Sequence, residues 1–228
     1  MKDNSMAKLG GICSILVGIL YLVVAVNYFL LPAGQQAGAS SSQFFASVAE
    51  SSTGLVIQSW VLALGALLAI AAVMAISDLV RSANEGLIRW TSTLAIIGFA
   101  VQAVQSLMIQ DHTPRLAAGY VQADPSAQAA LEVMGPRGLD PELWMVLGAV
   151  GLWVLVVNWL ALRGGQLPTG LAYVGLALGI AYALAVAGVV LQFPILSAIT
   201  AGLAGVILAP IWYIWTGLVL RRMSTEAS

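Results

Sequence analysis

The chain has 228 residues, 60% of them hydrophobic and only 8% charged, with a formal net charge of −1. Soluble domains carry about 25% charged residues, so this composition excludes a water-covered globule and makes lipid the solvent for much of the surface. The near-neutral balance leaves no electrostatic footprint for nucleic acid, and the one cysteine, Cys13, excludes an internal disulfide or a cysteine-cluster metal site.

A helix needs about 20 apolar residues to cross the hydrocarbon core, and six runs meet that length. The resulting reading is all-α: one domain over 1–228, a polytopic bundle of six transmembrane helices. The first run covers about 9–31. Lys2 and Lys8 precede it, and "AGAS" at 37–40 resembles a cleavage site. Signal-peptide apolar regions span only about 7–15 residues, so this longer run reads as a retained helix. Pro32 and Gly34 end it. An outer loop over 32–54 follows, in which "QFFASVAE" reads as a short interfacial helix with Phe44 and Phe45 dipping into lipid.

The second span, about 55–80, turns through "RSANEG" into the third, about 87–109. Pro114 disfavours helix at Thr113, so the third helix is expected to stop there. The outer loop over 111–140 is punctuated by Pro114, Pro125 and Pro136, with "SAQAALEVM" as a short helix. The remaining spans are about 142–162, 171–191 and 198–220, joined by "RGGQLP" and "QFP". Pro210 falls inside the sixth, where it removes a backbone donor and predicts a kink. Trp60, Trp90, Trp144, Trp159, Trp215 and Tyr28 lie toward span ends, as an aromatic belt does.

Lys and Arg set the direction of threading. With the N-terminus inside, the inner side carries Lys2, Lys8, Arg81, Arg89, Arg163, Arg221 and Arg222, and the outer side only Arg115 and Arg137. Seven against two puts both termini in the cytoplasm.

Polar groups gather in "GFAVQAVQSLMIQDHTPR". At about 1.5 Å per residue, Gln102 lies roughly 22 Å and Gln105 roughly 27 Å from the inner end of the third span. Gln102, Gln105, Ser106 and His112 share one helix face at these spacings. Asn27 and Gln58 reach the same level on the first and second spans. Amides in lipid are costly unless paired, so these residues are expected to face the bundle interior. As a binding site they would form an outward-facing polar pocket for a small molecule, with His112 and Asp111 or Glu142 at its mouth. As structure, they would be interhelical hydrogen bonds worth about 0.6 kcal/mol each. On the inner side Asp78 can pair with Arg81, three residues on. Asn158 reaches a similar depth near Arg163 and would belong to the same interfacial anchor.

No Asp, Glu, Lys, Arg or His sits at the middle of any span, which disfavours a proton-coupled pump. H-E-x-x-H, a phosphate-cradling G-x-x-x-x-G-K-[ST], G-x-S-x-G and a pair of intramembrane histidines are all missing. No cofactor or metal is expected. Gly175 and Gly179 form a GxxxG, and Ala201 with Gly205 repeats the spacing. Such faces pack helices closely, within one chain or against a partner.

"AKLGGICSILVGILYLVV", "ISDLVRSANEGLIRW", "LRGGQLPTGLAYVGLALG" and "LAPIWYIWTGLVLRR" resemble the first helix, the second-to-third turn, the fourth-to-fifth connection and the closing helix of a family of bacterial six-helix membrane proteins catalogued only as a domain of unknown function. The resemblance covers nearly the whole chain and implies the same topology and a bacterial inner-membrane location. It transfers no catalytic residue.

The leading functional expectation is a non-enzymatic membrane protein that binds or passes a small molecule through the outer pocket. Two alternatives stand beside it. One is an integral-membrane enzyme using His112 with Asp111 or Glu142. The other is an accessory subunit of a membrane complex, or an oligomer, packing through Gly175 and Gly179.

Overall fold

A computed structural model describes residues 4–36, 38–135, 139–140 and 144–226. These form α1 (Asn4–Leu30), α2 (Ser41–Glu50), α3 (Thr53–Val80), α4 (Glu85–Gln122), α5 (Pro125–Met134), α6 (Val150–Gly164), α7 (Thr169–Val190), α8 (Pro194–Gly202) and α9 (Ala209–Glu226). A π-helical stretch over Trp144–Ala149 leads into α6, and another over Leu203–Leu208 joins α8 to α9. No strand occurs among the described residues. Six helical stretches are long and apolar enough to cross a membrane: Ser5–Leu30, Thr53–Val80, Glu85–Gln122, Trp144–Gly164, Thr169–Val190 and Pro194–Thr225. Large apolar side chains such as Leu22, Leu67, Ile180 and Ile211 point outward, as a multi-pass membrane protein requires.

The helices pack as a ring in which each neighbour contact is extensive. α1 lies on α3, α3 on α4, α4 on α6, α6 on α7, α7 on α8, and α9 returns to α1. Small residues allow the close approaches. Ala63, Ala66, Ala69 and Ala72 recur every third residue along the buried face of α3. Where α1 crosses α9, a Cβ on Gly217 would stand 2.6 Å from the Gly11 carbonyl oxygen. Only a backbone without side chains fits at such a crossing.

The half of the bundle holding the two termini is solid. Trp153, Trp212 and Tyr213 fill it, with Trp212 edge-on to Trp153 at 5.8 Å and to Tyr213 at 4.9 Å. Their polar atoms are largely used inside the protein. Trp153 Nε1 donates to Ser77 Oγ at 2.9 Å, and Ser14 Oγ donates to the Tyr213 carbonyl at 2.6 Å. Asn158 does not join an interfacial anchor with Arg163. It is fully buried, accepts Trp212 Nε1 at 3.0 Å and donates to the Val154 carbonyl at 2.7 Å. Arg163 instead covers the Trp159 ring at 4.2 Å. Asp78 and Arg81 pair as their spacing predicts, at 3.5 Å, and Arg81 also meets Glu85 at 3.3 Å.

Two further expectations change. First, α4 does not stop at Thr113 but continues through Pro114 to Gln122. A helix of 38 residues is about 57 Å long, against a hydrocarbon core of about 30 Å. Its last turns therefore stand beyond the apolar layer and fill part of what reads as the outer loop over 111–140. Pro114 costs one helical hydrogen bond. Packing offsets that loss, because Ala117 and Tyr120 are buried against α2. Second, Phe45 is in this small second core and not in lipid. It is 1% exposed and stacks on Tyr120 with ring centroids 5.3 Å apart. A reciprocal capping box between Ser40 and Gln43 starts α2 at the position this contact needs. The Gly175/Gly179 face packs within the chain, one of the two uses its spacing allows. A Cβ on Gly175 would fall 2.1 Å from Asn158 Cγ, and one on Gly179 would fall 2.5 Å from Leu155 Cγ.

Candidate functional site

In the half of the bundle away from the termini the ring does not close on itself. α1 and α7 end there, and α3, α6 and α8 begin there. Between them lies a cavity of about 630 Å3. Its wall is mostly apolar, formed by side chains such as Leu20, Val24, Leu62 and Phe99. The polar groups on the wall are the carboxamides of Gln58 and Gln102 and the hydroxyls of Tyr21, Tyr28 and Tyr182. No charged side chain is among the described lining residues.

Each glutamine is oriented by a neighbour. Asn27, near the end of α1, donates through Nδ2 to the Gly54 carbonyl at 3.0 Å and to Gln58 Oε1 at 3.2 Å. That bridge ties α1 to the first turns of α3. Gln102 Nε2 donates to Ser106 Oγ at 2.9 Å, one turn on. Asn27 and Ser106 thus stand behind Gln58 and Gln102.

Gln105 is on the same helix but does not face the cavity. It is 8% exposed, and its Oε1 accepts the Asp140 backbone N–H at 2.9 Å. Asp140 is buried as well. Its carboxylate accepts from the backbone N–H groups of Trp144, Met145 and Val146 at 2.9, 2.8 and 2.9 Å. One acidic side chain thus satisfies three backbone donors of the π-helical stretch that leads into α6. Gln105 therefore anchors the start of the fourth span and supports the cavity wall that Val146, Leu147 and Val150 provide.

The remaining predicted residues are elsewhere. Asp111 and Arg115 form an ion pair at 2.7 Å on the exposed extension of α4. His112 is exposed and has no hydrogen-bond or ion-pair partner among the described residues. Glu142 lies outside the described residues. The stripe from Gln102 to His112 is thus divided into a cavity wall, a buried support for Asp140 and a water-exposed end. The cavity is an apolar chamber with a few polar points, not a polar pocket.

Several residues of the site escape a reading by polarity alone. Tyr21 and Tyr182 line the cavity from the middle of their helices. Tyr21 also stacks on Tyr213 at 5.9 Å. Their mid-span placement, away from the aromatic belt, was the available signal.

Residues 16–220 match the profile of a family described as Domain of unknown function (DUF4386). No curated protein and no solved structure matches the chain.

Proposed function

We propose, since the chain belongs to the DUF4386 family and that description names no activity, a function drawn from the geometry: a non-enzymatic membrane protein that binds or passes a small molecule through the cavity. The carrying observation is the cavity itself, about 630 Å3 of mostly apolar wall with the Gln58 and Gln102 carboxamides on it. Small-molecule sites run from roughly 300 to 1,000 Å3 and share this pattern of apolar lining with few polar groups.

The positive-inside rule orients the site. Among the described residues, Lys8, Arg81, Arg89, Arg163, Arg221 and Arg222 lie at the end of the bundle that holds the termini, and Arg115 at the other. That distribution supports cytoplasmic termini and a cavity in the outer half of a bacterial inner membrane. An acid–base centre at His112 has less support, because Asp111 is engaged by Arg115.

Native mass spectrometry of the detergent-purified protein tests the binding reading. The wild type should carry a small molecule that the Gln58→Leu/Gln102→Leu double variant loses. Gln105→Leu should keep the molecule yet melt at lower temperature, because Gln105 supports Asp140 and not the cavity surface. Retention of the same ligand by the double variant, or a folded wild type with none, would count against the cavity as the site.

A further inference from the structure

The ring of helices has one unpaired seam. In the outer half, α8 lies on α7 and makes no extensive contact with α1. In the half holding the termini, the same continuous helix has crossed over, and α9 packs along α1. The change of neighbour occurs across the π-helical stretch Leu203–Leu208, just before Pro210. Widened turns and proline are the usual sites where a helix alters course. Small residues border the seam. A Cβ placed on Gly202 or Gly205 would meet nothing within 4 Å. Ala198 and Gly202 line the cavity and are accessible, with little packed over them. The chamber therefore lies along the gap between α1 and α8, with Tyr21 and Val24 on one side and Ala198 and Gly202 on the other.

The chemistry of the wall restricts what uses this opening. Gln58 spends its Oε1 on Asn27, which leaves its N–H groups for the cavity. Gln102 spends an N–H on Ser106, which leaves its Oε1. The wall thus offers amide donors and acceptors beside tyrosine hydroxyls, with no charge among its described residues. A carboxylate, ammonium or phosphate head would sit there unpaired at high cost. A hydroxyl both donates and accepts, and it matches the two amides.

We infer that the cavity takes a neutral, membrane-dissolved long-chain alcohol, which slides in from the bilayer between α1 and α8. This rests on the binding reading above and adds the ligand class and the path. The chain would follow the apolar wall while the hydroxyl meets Gln58 and Gln102.

The test uses the full chain in phosphatidylcholine vesicles with diazirine-tagged hexadecanol added to the bilayer. Crosslinks should saturate and fall on cavity residues. Tagged hexadecanoic acid at neutral pH should not compete. Gly202→Trp, and independently Ala198→Trp if the first does not fold, should slow loading by at least about tenfold, the factor that a barrier higher by about 1.4 kcal/mol produces. When the alcohol is loaded in detergent before reconstitution, its release into added empty vesicles should slow by a similar factor, whereas a merely narrowed cavity would speed release. Wild-type loading rates in the folded tryptophan variants would overturn the lateral path. Equal competition by the acid would overturn the head-group assignment. If the double glutamine variant alone lost the crosslinks, the binding reading would survive without the path. An absence of saturable crosslinks overturns this inference, and the co-purification experiment then decides the binding reading separately.

Discussion

Gln102 and Gln105 are three residues apart, and the fold gives them different partners. One faces the cavity with Ser106 behind it, and the other accepts a backbone N–H from Asp140. Helical spacing put both on one broad face. It could not tell them apart, because the partner of Gln105 is 35 positions away in sequence. Local caps are different. Asp124 accepts from Ser126 N at 2.9 Å, Ser126 Oγ at 2.6 Å and Ala127 N at 2.9 Å. The Ser126 hydroxyl first, and then the two backbone N–H groups, hold its carboxyl below the ordinary value of 3.8. A carboxyl lowered in the folded state contributes stability above its unfolded value and loses it as pH falls through the folded value. Amide protection across Pro125–Met134 should accordingly hold from neutral pH down to the ordinary aspartate value of 3.8 and decline below it. Asp124→Ala should remove that acid step and leave the segment weakly protected throughout. An unchanged acid step in the alanine variant, measured by hydrogen exchange corrected for intrinsic rates, would assign it to another group.

At the scale of elements, close helix contacts depend on a few small residues whose role is visible only with the partner in place. Gly175 lies against Asn158, the same side chain that accepts Trp212 Nε1. Gly175→Leu should force α6 and α7 apart and cost about 1–3 kcal/mol, as overpacking of a filled interior does. Gly119, where a Cβ would meet nothing within 4 Å, provides the control: Gly119→Leu should leave the thermal midpoint unchanged. Equal midpoints for the two variants would remove Gly175 from the packing argument. The GxxxG spacing announced a close contact without naming its partner. The course of α4 beyond Thr113 was hidden for a similar reason. Proline statistics describe the local backbone, and the contact that offsets them joins Phe45 to Tyr120 across two loops. By contrast, the turn after α3 was legible, since Asn84 Oδ1 caps Leu87 N at 3.1 Å within four residues.

For the molecule as a whole, the distribution of cations predicts which end meets which compartment. Cys13 would first be replaced by alanine. A membrane-impermeant maleimide added to intact cells should then label Ser42→Cys and Ser126→Cys, and label Ala83→Cys only after the membrane is opened. The opposite pattern would invert the bundle and turn the cavity toward the cytoplasm.

The sequence by itself determined the solvent, the six spans and the short helices, because each follows from the length of an apolar run or from groups a few residues apart. It also placed Asn27, Gln58 and Gln102 at one level, since depth along a helix is counted in residues. Tertiary structure decided the rest. It set which amides meet and which helix faces are already filled, and it carried the third span through a proline. It left the seam between α1 and α8 unpaired. These outcomes depend on the rotation and neighbour of each helix. In lipid, where apolar faces gain little from hiding, packing and hydrogen bonding between distant residues choose them.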